Sequence, residues 1–103
     1  MLDFEEIASI DDFQDAERLQ VFVEDTPVLL IRMGDQYFAI EDVCTHDGQP
    51  LTEGCIEEGA IVCPRHGARF DLQTGKALCM PATKPVRTFE VEVRDRKIFA
   101  RPN

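Results

Sequence analysis

The chain contains two short Cys-His motifs, Cys44-Thr45-His46 and Cys63-Pro64-Arg65-His66, which together use both of its histidines. A thiolate is a soft metal ligand and an imidazole a borderline one, so each pair suits Zn²⁺ or iron. The two motifs are separated by 16 residues, which lets two loops approach one site from opposite sides. Gly48 and Gly67 follow the pairs and allow backbone N–H groups to come close to a charged site. These residues predict one metal centre held between two loops.

Two kinds of metal centre fit this ligand set. Two cysteines and two histidines satisfy the tetrahedral geometry of a structural zinc site. The usual zinc arrangement, however, is a Cys pair followed by a His pair, with the second pair on a helix. Here each motif supplies one ligand of each kind. A [2Fe–2S] cluster with two cysteines on one iron and two histidines on the other is the better match.

The motifs and their surroundings resemble the Rieske [2Fe–2S] signature. The resemblance rests on Cys44-Thr45-His46, on the run "CPRHGARFD" from Cys63 to Asp71, and on the later "TGKA" turn at 74–77. It covers essentially the whole chain. It implies one cluster per chain, with Cys44 and Cys63 on one iron and His46 and His66 on the other. It also implies that Pro81 lies in a loop that covers the cluster.

The same resemblance indicates where the reduction potential lies. Neutral imidazoles in place of two thiolates raise the potential above that of plant-type ferredoxins. High-potential respiratory members of the family have an additional disulfide between their cluster loops, and Ser and Tyr hydroxyls that donate to the cluster. The corresponding positions here look like Gln49, Arg65, Ala68 and Phe70, so these features are absent. We expect the low end of the family range, about −150 mV.

The rest of the sequence predicts an all-β protein, a small antiparallel sandwich or barrel closed by pairing of early and late strands. The segment "RLQVFVE" alternates apolar and polar residues, as a half-buried strand does. Gly34-Asp35 joins "PVLLIRM" and "QYFAIEDV" as a two-residue hairpin turn, and Asp95-Arg96 does the same in "RTFEVEVRDRKIFARP". The segment "SIDDFQDAE" is predicted to hold a helical turn or a loop, and no long helix is expected.

The metal-binding region is predicted to interrupt this sheet. From about 43 to 85 the chain is rich in Gly, Pro and Cys, with short strand candidates only at Ala60–Cys63 and Ala68–Leu72. Such a segment is costly to order unless something binds it. We therefore predict a single domain over residues 1–103, with a cluster-binding subdomain at about 43–85 inserted into the β base.

Composition limits the possible partners and the location. The chain has 103 residues and a net charge of −9, which argues against nucleic acids and anionic membranes as partners. No apolar stretch is long enough to span a bilayer, and the acidic N-terminus is unlike a secretory signal. We therefore expect a cytoplasmic monomer in which the four cysteines are reduced. Cys55 and Cys79 are interpreted as small, mostly buried residues rather than a disulfide or redox switch.

Charge is unevenly distributed along the chain. Residues 1–62 carry 16 acids and 2 bases, whereas residues 63–103 carry 9 bases and 4 acids. A surface polarised in this way can orient a protein partner, or it can serve solubility alone, and both interpretations stay open. The same holds for Arg65 and Arg69, which flank the second ligand loop as partner contacts or as ordinary solvated charges.

The resemblance implies an electron carrier rather than an enzyme. A terminal oxygenase needs a separate iron site with two histidines and a carboxylate, and the predicted cluster already uses both histidines. The expected partners are a flavin-containing NAD(P)H reductase as donor and a terminal non-haem iron oxygenase, such as an aromatic-ring dioxygenase, as acceptor. The alternatives are a Rieske-like small subunit of an assimilatory nitrite reductase or other multi-subunit oxidoreductase, and a zinc-stabilised interaction module.

Overall fold

The protein is built from two antiparallel β-sheets. The computed structural model describes residues 4–45, 48–65, 67–80 and 83–103, and the ten strands found there are β1 Glu5–Ser9, β2 Arg18–Val23, β3 Thr26–Met33, β4 Gln36–Glu41, β5 Cys55–Glu57, β6 Ala60–Val62, β7 Arg69–Asp71, β8 Ala77–Cys79, β9 Thr88–Arg94 and β10 Lys97–Pro102. A six-stranded sheet has the order β1-β10-β9-β4-β3-β2, and a four-stranded sheet has the order β5-β6-β7-β8. Strand β1 also contacts β2, so the larger sheet nearly closes into a barrel. The all-β prediction is confirmed.

The larger sheet forms because its strands alternate and its turns are short. The predicted two-residue turns are present at Gly34-Asp35 and Asp95-Arg96. Gly34 has φ of 61°, and Asp95 and Arg96 have φ of 50° and 66°, which is the backbone twist that two-residue hairpins require. Early and late strands pair as predicted, through Ala39 opposite Phe89 and through β1 with β10.

Three strands and one helical turn lie in segments whose local pattern is weak. The predicted helical turn is a 3₁₀ turn at Ile10–Phe13, capped by the hydroxyl of Ser9. Strands β1, β5 and β8 were not predicted from the sequence. Strands β5 and β8 have only three residues each, and β1 begins with two exposed glutamates and has one buried residue, Ala8, so none shows a clear hydrophobic alternation. They are strands because a neighbouring strand offers hydrogen bonds.

Two hydrophobic cores lie on opposite faces of the β3–β4 hairpin. Val28 and Leu30 of β3 point into the core of the barrel, where they pack with Phe13 and Phe89. Leu29 and Ile31, the alternate residues, lie in a second core. That core contains Ile40 of β4 together with residues of the smaller sheet and its loops, namely Cys44, Leu51, Ile61, Cys63, Ala68, Phe70, Leu72 and Val86. Burying a side chain of this size contributes about 1.5–3 kcal/mol. The second core therefore fixes the smaller sheet on the larger one.

The described residues contain no helix of sufficient length and apolarity to cross a membrane.

Candidate metal centre

Cys44 and Cys63 are the two predicted thiolate ligands, and the structure brings both into the second core. They are 0% and 1% exposed, although each lies at the start of a loop. Cys44 follows strand β4 after two intervening residues, and Cys63 directly follows β6. Neither forms a disulfide. Two buried sulfur atoms in one apolar core, one from each loop, fit a thiophilic metal centre.

The two cysteine loops have the same backbone hydrogen bonds. In the first loop the N–H of Cys44 donates to the carbonyl of Gln49 at 2.7 Å, and the N–H of Gly48 donates back to the carbonyl of Cys44 at 2.8 Å. In the second loop Cys63 N–H donates to the carbonyl of Ala68 at 2.7 Å, and Gly67 N–H donates to Cys63 at 3.1 Å. Each pattern closes five residues after its cysteine.

A glycine occupies the same place in both loops. Gly48 and Gly67 each lie four residues after their cysteine, and each has φ of 76°. A Cβ at either position would meet no atom of the described residues within 4 Å, and each glycine has the left-handed backbone that glycine adopts most easily. The two loops are thus structurally equivalent although their Cys-to-His spacing differs. This equivalence supports a centre held symmetrically from two sides.

The two predicted histidine ligands, His46 and His66, and the predicted covering residue Pro81 lie outside the described residues. Their roles therefore remain predictions.

A buried carboxylate holds the first cysteine loop at both ends. Asp42, which is 8% exposed, lies two residues before Cys44. Its Oδ1 accepts from the N–H of Leu51 at 2.8 Å, and its Oδ2 accepts from the hydroxyl of Thr52 at 2.5 Å. Leu51 and Thr52 lie just beyond the other end of the loop, so this one side chain closes the loop across its base. A hydrogen bond to a charged group contributes about 1.5–3 kcal/mol.

Strand β2 extends this network from the side of the barrel. The amide of Gln20 donates to Oδ2 of Asp42 at 3.4 Å and to the hydroxyl of Thr52 at 2.9 Å. Nη1 of Arg18 donates to the carbonyls of Thr52 and Gly54, both at 2.6 Å. The first cysteine loop is therefore anchored to the barrel by side chains as well as by packing. Sequence reasoning missed this network, whose only local signal is an acidic residue two positions before the predicted ligand.

Cys79 and Lys84 are each hydrogen-bonded to one of the two cysteine loops. The hydroxyl of Thr45 donates to the carbonyl of Lys84 at 2.7 Å. The thiol of Cys79 lies 3.5 Å from the carbonyl oxygen of Gly67 and donates to it. One bond thus reaches the first loop and the other reaches the second. Together they tie the described residues of a third segment, 78–80 and 83–85, to the two cysteine loops.

The interpretation of Cys55 and Cys79 as mostly buried is wrong, because both are exposed. They lie on β5 and β8, the opposite edges of the smaller sheet, and neither is in a disulfide. An edge strand of three residues has little covering on either face, which leaves these side chains in contact with solvent.

Arg69 forms an ion pair with Glu57 at 3.3 Å, and Arg65 is an exposed residue of the second loop.

The positions that resemble the hydroxyl donors of high-potential proteins are buried and apolar. Ala68 and Phe70 are both 0% exposed and pack in the same core as Cys44 and Cys63. Neither side chain has a hydrogen-bond donor. The environment of the buried thiols is therefore apolar on this side, in agreement with the sequence comparison of these positions.

Comparison with known proteins places the chain in a family. Residues 3–90 match the model of the Rieske [2Fe–2S] domain. The chain is 46% identical over 79 residues to the 3-phenylpropionate/cinnamic acid dioxygenase ferredoxin subunit of Photorhabdus laumondii, covering 75% of each protein. Its fold is similar to that of the ferredoxin of carbazole 1,9a-dioxygenase from Nocardioides aromaticivorans, with a TM-score of 0.88, 30% identity, and coverage of 99% and 100% of the two chains.

A further structure shows a relative together with its partner. It is a complex of reduced oxygenase and oxidised ferredoxin in carbazole 1,9a-dioxygenase, and one of its chains matches with a TM-score of 0.82 and 35% identity, covering 94% of this chain and 91% of that chain. This chain belongs to the Rieske [2Fe–2S] domain family. The predictions of the family and of its [2Fe–2S] cofactor are confirmed.

Proposed function

We propose that this protein is a one-electron carrier that accepts electrons from a flavin-containing NAD(P)H reductase and delivers them to a terminal non-haem iron oxygenase, such as an aromatic-ring dioxygenase. The observation that carries the proposal is the pair of equivalent loops that bury Cys44 and Cys63 in one core. The relatives named as ferredoxin subunits of dioxygenases support the assignment of the acceptor.

The ligands in this proposal are Cys44 and Cys63 for one iron and His46 and His66 for the other. When bound, such a cluster accepts and releases a single electron. The chain's own residues hold the loops that carry these ligands: Asp42 closes the first loop, and Thr45 and Cys79 tie the third segment to the other two. A rigid site favours electron transfer because little has to rearrange when the charge changes.

The proposed domain organisation is a single domain over residues 1–103, with the cluster-binding subdomain at about 43–85. The four-stranded sheet, from Cys55 to Cys79, falls inside that segment, between β4 and β9. We propose a monomeric, cytoplasmic protein with no catalytic activity of its own. The support for a carrier is that both histidines are assigned to the cluster, which leaves none for a mononuclear oxygenase site.

We further propose a low reduction potential, about −150 mV. The physical reason is the absence of hydroxyl donors at Ala68 and Phe70, which are buried against the cysteine core. Hydrogen bonds to cluster sulfurs stabilise the reduced, more negative state, so their absence keeps the potential low.

The first test is the metal content and spectrum of anaerobically purified protein. We expect a coloured protein with two irons and two sulfides per chain, and a dithionite-reduced EPR signal typical of a Rieske centre. His46→Ala and His66→Ala should each abolish this signal, while Cys55→Ser, which alters an exposed cysteine, should retain it. A colourless protein with stoichiometric zinc would refute the proposal and support a zinc-stabilised module.

The second test concerns the acceptor. The holoprotein is mixed with NADH and with the reductase and oxygenase components of a 3-phenylpropionate/cinnamic acid dioxygenase. Substrate-dependent oxygen uptake that requires this protein supports the proposed chain of transfer. Electron delivery to a sirohaem nitrite reductase, without delivery to the oxygenase, would instead support the nitrite reductase subunit.

A further inference from the structure

Two large exposed apolar side chains belong to the segment that is hydrogen-bonded to the second cysteine loop. Four large hydrophobic residues are exposed among the described residues, and two of them, Leu78 at 50% and Met80 at 73%, belong to or directly follow strand β8. Strand β8 is an edge of the smaller sheet. Cys79, between them, donates to the carbonyl of Gly67 in the second loop. Strand β8 and the residue after it thus carry two exposed apolar side chains, and Cys79 ties this segment to the second cysteine loop.

The charges around this patch have the opposite sign to the protein as a whole. The two cysteine loops and the third segment, residues 44–50, 63–68 and 78–85, contain Arg65, Lys84 and the single acid Asp47. The net charge of these three segments is +1. The rest of the chain carries −10, which gives the protein its total charge of −9. Arg65 and Lys84 are both exposed. The metal-binding end is therefore apolar and weakly basic on a strongly acidic protein.

We propose that Leu78, Met80, Arg65 and Lys84, here called the β8 patch, form the docking surface for a redox partner whose own surface is apolar at its centre and acidic at its rim. This inference rests on the proposed function, because it assumes that electrons leave near the two cysteine loops. It adds which residues make the contact and which charge the partner carries.

Screening makes the local charge more important than the total charge. At physiological ionic strength the Debye length is about 8 Å, so a partner at this end of the molecule senses the β8 patch far more than the distant acids. Those distant acids then repel an acidic partner that approaches in other orientations. Complementary charges of this kind mainly raise the association rate and fix the orientation.

The apolar part of the patch suits a protein and not a solvated ion. Met and Arg are enriched at protein interfaces, where a small apolar centre is surrounded by a polar rim. A patch of this size gives weak, transient binding, which an electron carrier needs because it must leave one partner before it meets the next. Two copies of this chain would bring the same basic residues together, which disfavours self-association through the patch.

The charge can be measured without any protein partner. The reduced holoprotein is oxidised in a stopped-flow instrument by ferricyanide, an anion, and by hexaammineruthenium(III), a cation, between about 100 and 500 mM salt, where the Debye length is about 10 Å or less. If the β8 patch is the electron exit, the ferricyanide rate falls severalfold as salt rises and the ruthenium rate increases. The reverse dependence, which the total charge of −9 predicts, would overturn the proposal.

Charge variants assign the effect to the patch. Lys84→Glu changes the net charge of the three segments from +1 to −1 and should invert the salt dependence with ferricyanide. Its backbone carbonyl, which accepts from Thr45, is retained. Lys97→Glu is the matched control, because Lys97 is an exposed lysine at the start of β10, next to the hairpin turn that follows β9. Equal effects of the two variants would contradict the proposed location.

The apolar centre is tested with the oxygenase of a 3-phenylpropionate/cinnamic acid dioxygenase as the acceptor. Met80→Gln should raise the half-saturating concentration of the carrier severalfold, with unchanged EPR spectrum and ferricyanide rate. Phe22→Gln, which alters a residue that is 65% exposed elsewhere, should have no effect. Equal effects of both variants, or a dimer that dissociates in Met80→Gln, would overturn the proposal.

These outcomes separate the inference from the proposed function. If the protein gives no Rieske EPR signal, the proposed function itself is wrong. If the protein gives the normal signal and transfers electrons, but shows the salt dependence of an acidic surface, only the docking inference is wrong.

Discussion

Replacement of Gly75 by alanine tests how the metal-binding end is held against the barrel. Gly75 lies in the "TGKA" turn, with φ of 79°, and its carbonyl accepts from the N–H of Val86 at 2.8 Å. A Cβ at this position would lie 2.1 Å from the carbonyl oxygen of Val86 and 2.8 Å from Cγ2 of Thr88. Both neighbours belong to the segment that enters strand β9, so the turn and the barrel meet here at backbone distance.

The expected cost has two parts. An L-residue in the left-handed region costs about 1–2 kcal/mol. To reach the 3.4 Å at which ordinary contacts begin, the Val86 carbonyl would have to withdraw by 1.3 Å from its 2.1 Å position. Overpacking of this kind costs about 1–3 kcal/mol, and the hydrogen bond from Val86 adds about 0.5–1.5 kcal/mol if it breaks. We expect a total destabilisation of about 3–6 kcal/mol for Gly75→Ala.

Gly59→Ala is the matched control within the same sheet. Gly59 has φ of 78°, almost the value at Gly75, but within the described part of the chain a Cβ there would meet no atom closer than 4 Å. Only the conformational part of about 1–2 kcal/mol then remains. The difference between the two variants isolates the close approach to Val86.

The assay is urea unfolding of the holoprotein, followed by the visible circular dichroism of the cluster. Midpoints are compared because release of a bound cofactor prevents a simple two-state analysis. With a urea dependence of about 1–3 kcal/mol per M, the Gly75→Ala midpoint should lie about 1–2 M below that of Gly59→Ala. Coincident midpoints would refute the argument that backbone contact at Gly75 holds the two parts together.

Three further substitutions test the site. Ala68→Ser places a hydroxyl in the cysteine core. If its hydrogen bond is stronger by about 1.5 kcal/mol in the reduced state, the reduction potential measured by protein-film voltammetry rises by about 60 mV. An unchanged potential with the serine buried would contradict the account of the low potential. Asp42→Asn replaces one accepting oxygen by a donor, so cluster loss should be on the order of tenfold faster, whereas the exposed control Asp35→Asn should behave as wild type. Thr45→Val removes the hydrogen bond to the third segment and should lower stability by about 1 kcal/mol without loss of the EPR signal; an unchanged urea midpoint would show that this bond contributes nothing.

Much of the fold was predictable because its larger sheet is encoded locally. The alternation in strands β2 and β9 and the turn residues at Gly34-Asp35 and Asp95-Arg96 each act over a few neighbouring residues. The short strands of the smaller sheet were only partly predicted. Strands β6 and β7 contain buried apolar residues, but β5 and β8 are strands only because β6 and β7 lie beside them. The exposure of Cys55 and Cys79 follows from these edge positions, so composition gave the wrong answer.

For the site, the sequence by itself determined the class of chemistry. Soft and borderline ligands, paired and spaced as Cys44-x-His46 and Cys63-x-x-His66, indicate a Rieske cluster, and the family match confirms that cofactor. Ligand type is a property of single residues, and it needs no knowledge of the fold. The same is true of the missing hydroxyls at Ala68 and Phe70.

Only the tertiary structure decided how the site is held and what surrounds it. The two loops are equivalent only in their folded backbone hydrogen bonds. The Asp42 network and the close approach of Gly75 to Val86 each join residues of different elements. The β8 patch likewise appears only when the edge strand lies against the second cysteine loop. Hydrogen bonds and contacts of this kind depend on which segments meet, and packing of the shared core determines that.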